Sequence, residues 1–112
     1  MLINLSNHPS AAWTLEQKAE YKEIIDLPFP QVDPEGDEGY IDSLVNEYLQ
    51  KIEQISNIEA VHIMGEFNFC YKMINELKKK NIKCVASCTK RDTVEENGVK
   101  ISKFKFVRFR EY

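Results

Sequence analysis

Hydrophobic positions along the chain fall into two kinds of pattern that follow one another. Four short apolar runs have the length of buried strands and cover residues 2–5, 24–27, 60–64 and 82–89. Between them, apolar residues recur every three or four positions, as they do on one face of a helix. This alternation predicts an α/β fold in which helices flank a mostly parallel sheet, with right-handed crossovers.

Three helices are predicted between the four strands. The first starts at the capping box Thr14-Leu15-Glu16-Gln17 and is expected over residues 15–23. The second carries seven apolar residues at helical spacing, begins at Asp37 or Glu38 and runs to about Ile55. The third follows the run at 60–64 and ends in three lysines, which suit the negative end of the helix dipole.

The last third of the chain predicts a hairpin. Residues 93–95 and 99–110 flank Asn97-Gly98, the strongest short signal for a tight hairpin turn. The expected sheet order is 2-1-3-4, and the hairpin extends the strand-4 edge in the antiparallel direction. The whole chain, residues 1–112, is expected to form one Rossmann-like domain.

The second arm of the hairpin changes phase within its apolar residues. Phe104 and Phe106 are predicted on one face, and Val107 and Phe109 on the other. This change between Phe106 and Val107 predicts either a β-bulge or burial on both faces.

The composition is that of a globular protein, with 43% hydrophobic and 29% charged residues. No apolar run approaches the length of a membrane span, and the first residues lack the features of a signal peptide, so we expect a cytoplasmic protein. The three cysteines form no CxxC pair, which predicts neither a disulfide framework nor a zinc site. We read them as small buried hydrophobic residues.

Charge is distributed unevenly along the chain. Residues 1–57 hold 11 acidic against 3 basic side chains, whereas residues 83–112 hold 4 against 8. The net charge of −3 argues against a binder of long nucleic acid, which usually has a basic domain. A small anionic ligand held by the basic third remains compatible with this distribution.

Three polar segments are expected to meet at one rim of the sheet, because they follow the first, third and fourth strands. Serine and asparagine side chains, helix N-terminal N–H groups and two cations there favour a ligand that carries phosphate. The candidate ligand-binding residues are Ser6, Asn7, His8, Gly65, Glu66, Phe67, Asn68, Thr89, Lys90 and Arg91. Glu66 is equally compatible with a structural role at the start of a helix.

No motif for a metal, a cofactor or a nucleophile with a matching base is present: there is neither a GxGxxG fingerprint nor a Walker lysine. A reaction in such a site would be one that the substrate largely performs on itself. An RNA phosphodiester qualifies, since its 2′-hydroxyl can attack in line when the backbone is held correctly. His8, Lys90 and Arg91 are the candidate catalytic residues.

Four stretches carry a family resemblance: NLSNHP at 4–9, MGEF at 64–67, CVASCTKR at 84–91 and FVRFREY at 106–112. Together, and over nearly the whole chain, they resemble the small stand-alone CRISPR-associated proteins of type III systems, CARF-like proteins grouped with ring nucleases. The resemblance implies a homodimer that binds a cyclic oligoadenylate messenger, most plausibly cyclic tetra-adenylate, across its two-fold axis. It also implies metal-independent cleavage to products with 2′,3′-cyclic phosphate ends, which would switch off antiviral signalling.

Two other functions stay open at this point. The protein could bind the same messenger without cleaving it and so lower its free concentration. Alternatively, the edge strand around Phe104 and Phe109 could pair with a protein partner, with no response to nucleotide.

Overall fold

The computed structural model describes every residue from Met1 to Tyr112 and contains one five-stranded sheet. The order across the sheet is β2-β1-β3-β4-β5, with β4 and β5 antiparallel and every other pair parallel. The predicted α/β class and strand order are therefore confirmed. The strands are β1 (Leu2–Ser6), β2 (Ile24–Asp26), β3 (Ala60–Met64), β4 (Cys84–Glu96) and β5 (Val99–Glu111).

Three α-helices and one short 3-10 helix connect the parallel strands. None of the helices combines the length and the hydrophobicity that a membrane crossing requires. The helices are α1 (Leu15–Ala19), α2 (Glu38–Glu53) and α3 (Phe67–Lys79), and the 3-10 turn covers Ser10–Ala12.

Side-chain caps start the first two helices where the sequence predicts them. Thr14 Oγ1 accepts from the Gln17 N–H at the start of α1, and an Asp37 carboxylate oxygen accepts from the N–H of residue 40 at the start of α2. The prediction that the first helix continues to residue 23 is wrong. The Glu23 carbonyl accepts from the Leu2 N–H at 2.9 Å, so the chain is already extended beside β1 at that point.

The two faces of the sheet are covered differently. One face packs against α2 and α3, and Phe69, Met73 and Leu77 of α3 are fully buried there. The opposite face, called here the second face, is covered by Trp13 and the aromatic rings near it. Side chains alternate along each strand, so Leu2, Asn4 and Ser6 of β1 share this second face.

β4 and β5 continue well beyond the rest of the sheet. Only Cys84 and Val85 of β4 pair with β3, after which β4 pairs with β5 alone. Residues 89–106 therefore form an exposed two-stranded extension, called here the ribbon. At its tip Asn97 and Gly98 both have positive φ, 53° and 77°, as a type I′ turn requires, so the predicted hairpin is confirmed.

A β-bulge lies where the ribbon leaves the sheet. Cys88 pairs with Arg108 and Thr89 pairs with Phe106, which leaves Val107 as the extra residue and confirms the predicted bulge. The prediction that Phe109 faces away from Phe106 is wrong. The extra residue returns both rings to one face, with centroids 5.0 Å apart.

The turn after β3 packs closely beneath an aromatic ring. A Cβ atom on Gly65 would lie 2.4 Å from Cζ of Phe29, and the Phe29 ring packs edge-on against Phe69 with centroids 5.2 Å apart. Phe29 thus fills the crevice above this turn, at the rim of the sheet where the sequence predicts a ligand. Gly65 is needed there for packing.

We expect Gly65→Ala to lower the free energy of unfolding by about 1–3 kcal/mol, since the added methyl group must displace the Phe29 ring. Denaturant unfolding of the purified variant measures the change. Gly39→Ala is the matched control, because its Cβ would meet only a carboxylate oxygen of Asp37, at 3.5 Å. Equal stability of the two variants would contradict the packing role of Gly65.

Candidate functional site

The segment after β1 is held mainly by its own hydrogen bonds. Ser6 is buried, and its Oγ donates to Asn4 Oδ1 at 2.7 Å and accepts from the His8 N–H at 3.2 Å. Trp13 Nε1–H donates to the His8 carbonyl at 3.1 Å. Ser6 therefore shapes the loop, whereas Asn7 and His8 remain exposed at its surface.

The start of α3 is capped by its own acidic residue. The Glu66 carboxylate accepts from the N–H groups of Asn68 and Phe69 at 2.9 and 2.8 Å, and from the Asn68 side chain at 2.9 Å. Desolvation raises the pKa of Glu66, but these hydrogen bonds outweigh it and hold the pKa below its usual value. The Asn68 N–H predicted to bind phosphate is already paired, and Phe67 is 88% exposed beside it.

The segment from Thr89 to Arg91 lies within β4. The prediction that it forms a polar segment after the end of a strand is therefore wrong. The strand continues because β5 pairs with it throughout. Thr89 and Arg91 face the same side of the ribbon as Phe104 and Phe106, their pairing partners. Lys90 is paired with another lysine and faces the opposite side, so the two predicted cations do not act together.

The three predicted segments do not form one shared site. His8 and Thr89 line one cleft, Asn7 lines a shallow groove beside β2, and Gly65 and Phe67 line a third groove along α3. The predicted convergence of all three segments is therefore wrong, although His8 and Thr89 from two of them share a cleft. It fails because Phe29 fills the crevice and because β4 continues as a strand.

The cleft that contains His8 and Thr89 is the candidate functional site. It measures about 500 Å³ and lies on the second face. One wall is formed by residues 8–17, which include the start of α1, and the other by the base of the ribbon. Its lining combines aromatic rings with polar side chains and a thioether. The lining residues are His8, Ala12, Trp13, Thr14, Gln17, His62, Met64, Ser87, Thr89, Phe104 and Phe106.

A chain of hydrogen bonds between side chains runs along the floor of this cleft. His62 projects from β3, is 1% exposed and lies edge-on to Trp13, with ring centroids 5.2 Å apart. Its Nδ1 is 2.8 Å from Asn4 Oδ1, and its Nε2 is 2.7 Å from Ser87 Oγ. Gln17 Nε2–H donates to the same Ser87 oxygen at 3.0 Å.

The partners of Asn4 determine which imidazole nitrogen carries the proton. Asn4 Nδ2 donates to an Asp26 carboxylate oxygen at 2.9 Å and to the His8 carbonyl at 2.8 Å, and both of these groups can only accept. Asn4 Oδ1 must therefore face His62, whose Nδ1 carries the proton. Nε2 is then an acceptor, so the Ser87 hydroxyl donates its proton to His62.

His62 and Ser87 are not among the residues predicted from the sequence. A usable signal exists in the strand register, since Asn4 of β1 pairs with His62 of β3. Ser6 lies two residues beyond Asn4, and Ser87 lies on the same face of β4. Polar side chains on one face of three neighbouring strands indicate a buried polar network, but recognising it requires the register.

The buried cysteines are poor nucleophiles. Desolvation raises the pKa of both Cys70 and Cys84 to about 11, so neither thiol ionises appreciably near neutral pH. Cys88 is partly buried. The reading of Cys70 and Cys84 as small buried hydrophobic residues is confirmed.

His62 should make stability depend on pH. Burial, followed by the positive charge of His8, lowers the pKa of His62 from 6.5 to about 4. Between pH 6.5 and 4 the unfolded chain binds more protons at this histidine than the folded protein does. The free energy of unfolding is therefore highest above pH 6.5 and decreases as the pH falls towards 4. The lowering of the His62 pKa from 6.5 to about 4 corresponds to about 3 kcal/mol in the free energy of unfolding.

Urea unfolding at a series of pH values between 7 and 4 measures this contribution. We expect His62→Gln to show a shallower pH dependence than the wild type. His8→Gln removes only the smaller of the two causes of the His62 shift and leaves the burial of His62 in place, so it should keep most of the wild-type slope. Identical slopes for the wild type and His62→Gln would contradict the assignment.

Comparison with known proteins finds a match at the level of the family only. No curated protein and no solved structure matches the chain. A family model described as "Uncharacterized protein MJ1673 family" matches residues 1–110, which is nearly the whole length. The chain is therefore a member of the MJ1673 family.

Proposed function

We propose that the cleft on the second face binds a cyclic oligoadenylate, with cyclic tetra-adenylate favoured, and that the protein is a ring nuclease. The main support is the aromatic lining of this cleft, which lies on one face of a Rossmann-like sheet. Phe104 and Phe106 offer ring surface on which adenine bases can stack, and the buried Trp13 forms part of the cleft wall beside them. Phe104 is 68% exposed, as expected of an aromatic residue that contacts a ligand in the bound state.

Phosphate groups of the ligand would meet cationic and polar groups beside these rings. Arg91 faces the same side of the ribbon as Phe104, and two of its guanidinium nitrogens donate to Ser102 Oγ at 3.2 and 2.9 Å. This contact orients the guanidinium, and its remaining N–H donors stay available for phosphate oxygens. Thr89 supplies a hydroxyl group within the cleft.

The proposed reaction needs no metal or cofactor. The 2′-hydroxyl of one nucleotide attacks the adjacent phosphorus, the bond from phosphorus to O5′ breaks, and a 2′,3′-cyclic phosphate remains. Arg91 would stabilise the charge that develops on the phosphoryl oxygens, and His8 would donate a proton to the leaving O5′. Degradation of the messenger would switch off type III CRISPR signalling in the cytoplasm.

A homodimer suits this ligand, because two copies of the cleft can engage a ring that repeats its own surface. One cleft of about 500 Å³ lies within the range of small-molecule sites, roughly 300–1,000 Å³, and a second copy would enlarge the site for a four-nucleotide ring. Resemblance to the CARF-like proteins supports the same arrangement. No long nucleic acid is required.

A protein-interaction module is the second candidate function, and the exposed ribbon favours it. Val99 and Val107 are exposed, and β5 is the long outer strand of the sheet, with one side free of a pairing strand. A partner strand could add to this edge. Such a protein would bind a polypeptide and would not respond to cyclic oligoadenylates.

Incubation with cyclic tetra-adenylate, in the presence and absence of EDTA, tests the proposal directly. We expect linear products with 2′,3′-cyclic phosphate ends in both cases, identified by liquid chromatography and mass spectrometry. Recovery of intact ring from a tight complex at excess protein would instead indicate a messenger-binding protein without turnover. Failure to bind the ring at all would contradict the proposed function.

Arg91→Ala should weaken binding of cyclic tetra-adenylate by about 1.5–3 kcal/mol, if the guanidinium makes a charge-assisted contact with phosphate. Lys105→Ala is the matched control, because Lys105 faces the opposite side of the same ribbon. Lys90 pairs with Lys105, so Lys90→Ala should behave like this control. Isothermal titration at low salt measures the three affinities, and equal losses for Arg91 and Lys105 would exclude a specific phosphate contact.

A further inference from the structure

The hydrogen-bonded chain at the floor of the cleft has no role in the binding steps described above. We propose that it activates the Ser87 hydroxyl, and that Ser87 takes the proton from the attacking 2′-hydroxyl in the cleavage reaction. The second half of this proposal rests on the proposed function. Its first half, an activated serine, concerns the protein alone.

The geometry of the chain is that of a proton relay. Ser87 Oγ lies 2.7 Å from His62 Nε2, and His62 Nδ1 lies 2.8 Å from Asn4 Oδ1. Both distances are within hydrogen-bond range, and the Asp26 carboxylate orients the Asn4 amide from the far side at 2.9 Å. A hydroxyl, a base and a group that orients the base therefore follow one another in order, as they do around an activated serine.

Access to the two groups differs in the way that a relay requires. His62 is 1% exposed and clamped by Trp13 and Phe109, at ring-centroid distances of 5.2 and 5.5 Å. A substrate hydroxyl has little direct access to its imidazole. Ser87 is only partly buried and lines the cleft, so its hydroxyl provides the route from substrate to His62.

The backbone at Ser87 supplies a second, independent observation. Pairing between β3 and β4 ends at His62 and Val85, which releases the next N–H groups of β4 from that ladder. The Ser87 N–H points to the Met64 sulfur at 3.4 Å, and a thioether is a weak acceptor. A phosphoryl oxygen that develops negative charge beside Ser87 would be a better partner for this N–H.

The proton balance of the step can be written out in full. The 2′-hydroxyl gives its proton to Ser87 Oγ while Ser87 gives its own proton to His62 Nε2, and the bond from O2′ to phosphorus forms. The bond from phosphorus to O5′ breaks, and O5′ takes a proton from His8. His62 then returns its proton through Ser87 to solvent, and His8 recovers one from solvent. Gln17 Nε2–H, which donates to Ser87 Oγ, would stabilise partial negative charge on that oxygen during the transfer.

Single-turnover cleavage and ligand binding, measured separately, test Ser87 in the reaction. We expect Ser87→Ala to lower the cleavage rate by about 10²–10⁴-fold, the usual contribution of general acid–base catalysis, with the dissociation constant nearly unchanged. Ser87→Thr keeps a hydroxyl and should recover part of the rate. Ser56→Ala, which removes an exposed serine of a distant loop, is the control.

A merely structural serine would give a different result, in which Ser87→Ala cleaves at the wild-type rate or loses binding and cleavage together. Either outcome would overturn the catalytic assignment. Circular dichroism of each variant establishes that the fold is intact before rates are compared.

A second measurement tests the activated hydroxyl without the nucleotide. A phosphonofluoridate probe should react at Ser87: the bond from Oγ to phosphorus forms, fluoride leaves, and the proton passes to His62. Peptide mass spectrometry should locate the adduct on Ser87 in the wild type and in Ser56→Ala, and should find none there in Ser87→Ala. Labelling of the wild type together with failure to bind the ring would sustain the relay and overturn the proposed function.

The two measurements are read in a fixed order. Where the wild type cleaves the ring, the rate of Ser87→Ala decides; where it does not cleave, labelling decides, and an unlabelled Ser87 overturns the relay. Nitrogen-15 spectra of the wild-type histidines add a check on the arrangement, because His62 should carry its proton on Nδ1. A proton on Nε2 would also overturn the relay.

Discussion

The second face of the sheet depends on the hydrogen bonds of the Asn4 side-chain amide. Its two ends make four hydrogen bonds, to Ser6, His8, Asp26 and His62, and it is 2% exposed. A buried amide left without partners costs about 1–3 kcal/mol, so this side chain selects the one arrangement that satisfies it. It joins the end of β2, the loop after β1 and the middle of β3, segments that are distant along the chain.

The orientation of the same amide determines the tautomer of His62 in the floor of the cleft. Because its nitrogen faces two acceptors, its oxygen must face the imidazole, and the tautomer of His62 follows. Ser87 then has to donate to His62 instead of accepting from it. One packing requirement in the interior of the protein therefore sets the direction of both hydrogen bonds of the His62 ring.

Local chemistry made most of the fold predictable. The type I′ turn needs positive φ at two residues, and Asn97-Gly98 is the pair that accepts it most readily. The bulge follows from the phase change at Val107. By contrast, the length of α1 depends on the pairing of Glu23 with Leu2, a contact between separate segments that no local pattern reveals.

The candidate site was predictable only in part, because a site is made by contacts between segments. His8 and Thr89 do share the cleft, as their positions after β1 and in β4 suggest. Lys90 does not, because strand continuity reverses the direction of each successive side chain. A ligand crevice above Gly65 was a reasonable expectation from topology, and only the position of the Phe29 ring shows that it is filled.

β4 begins in the core at Cys84 and ends at the solvent-exposed turn, without a break in the strand. The free energy needed to open its backbone hydrogen bonds must therefore decrease along its length, from the sheet to a two-stranded segment that is marginal by itself. Any molecule that contacts the outer half would restrict the fluctuations of that half, and Ser87 lies near the boundary. Occupancy at the surface and order at the buried imidazole would in this way be thermodynamically linked through a single continuous backbone.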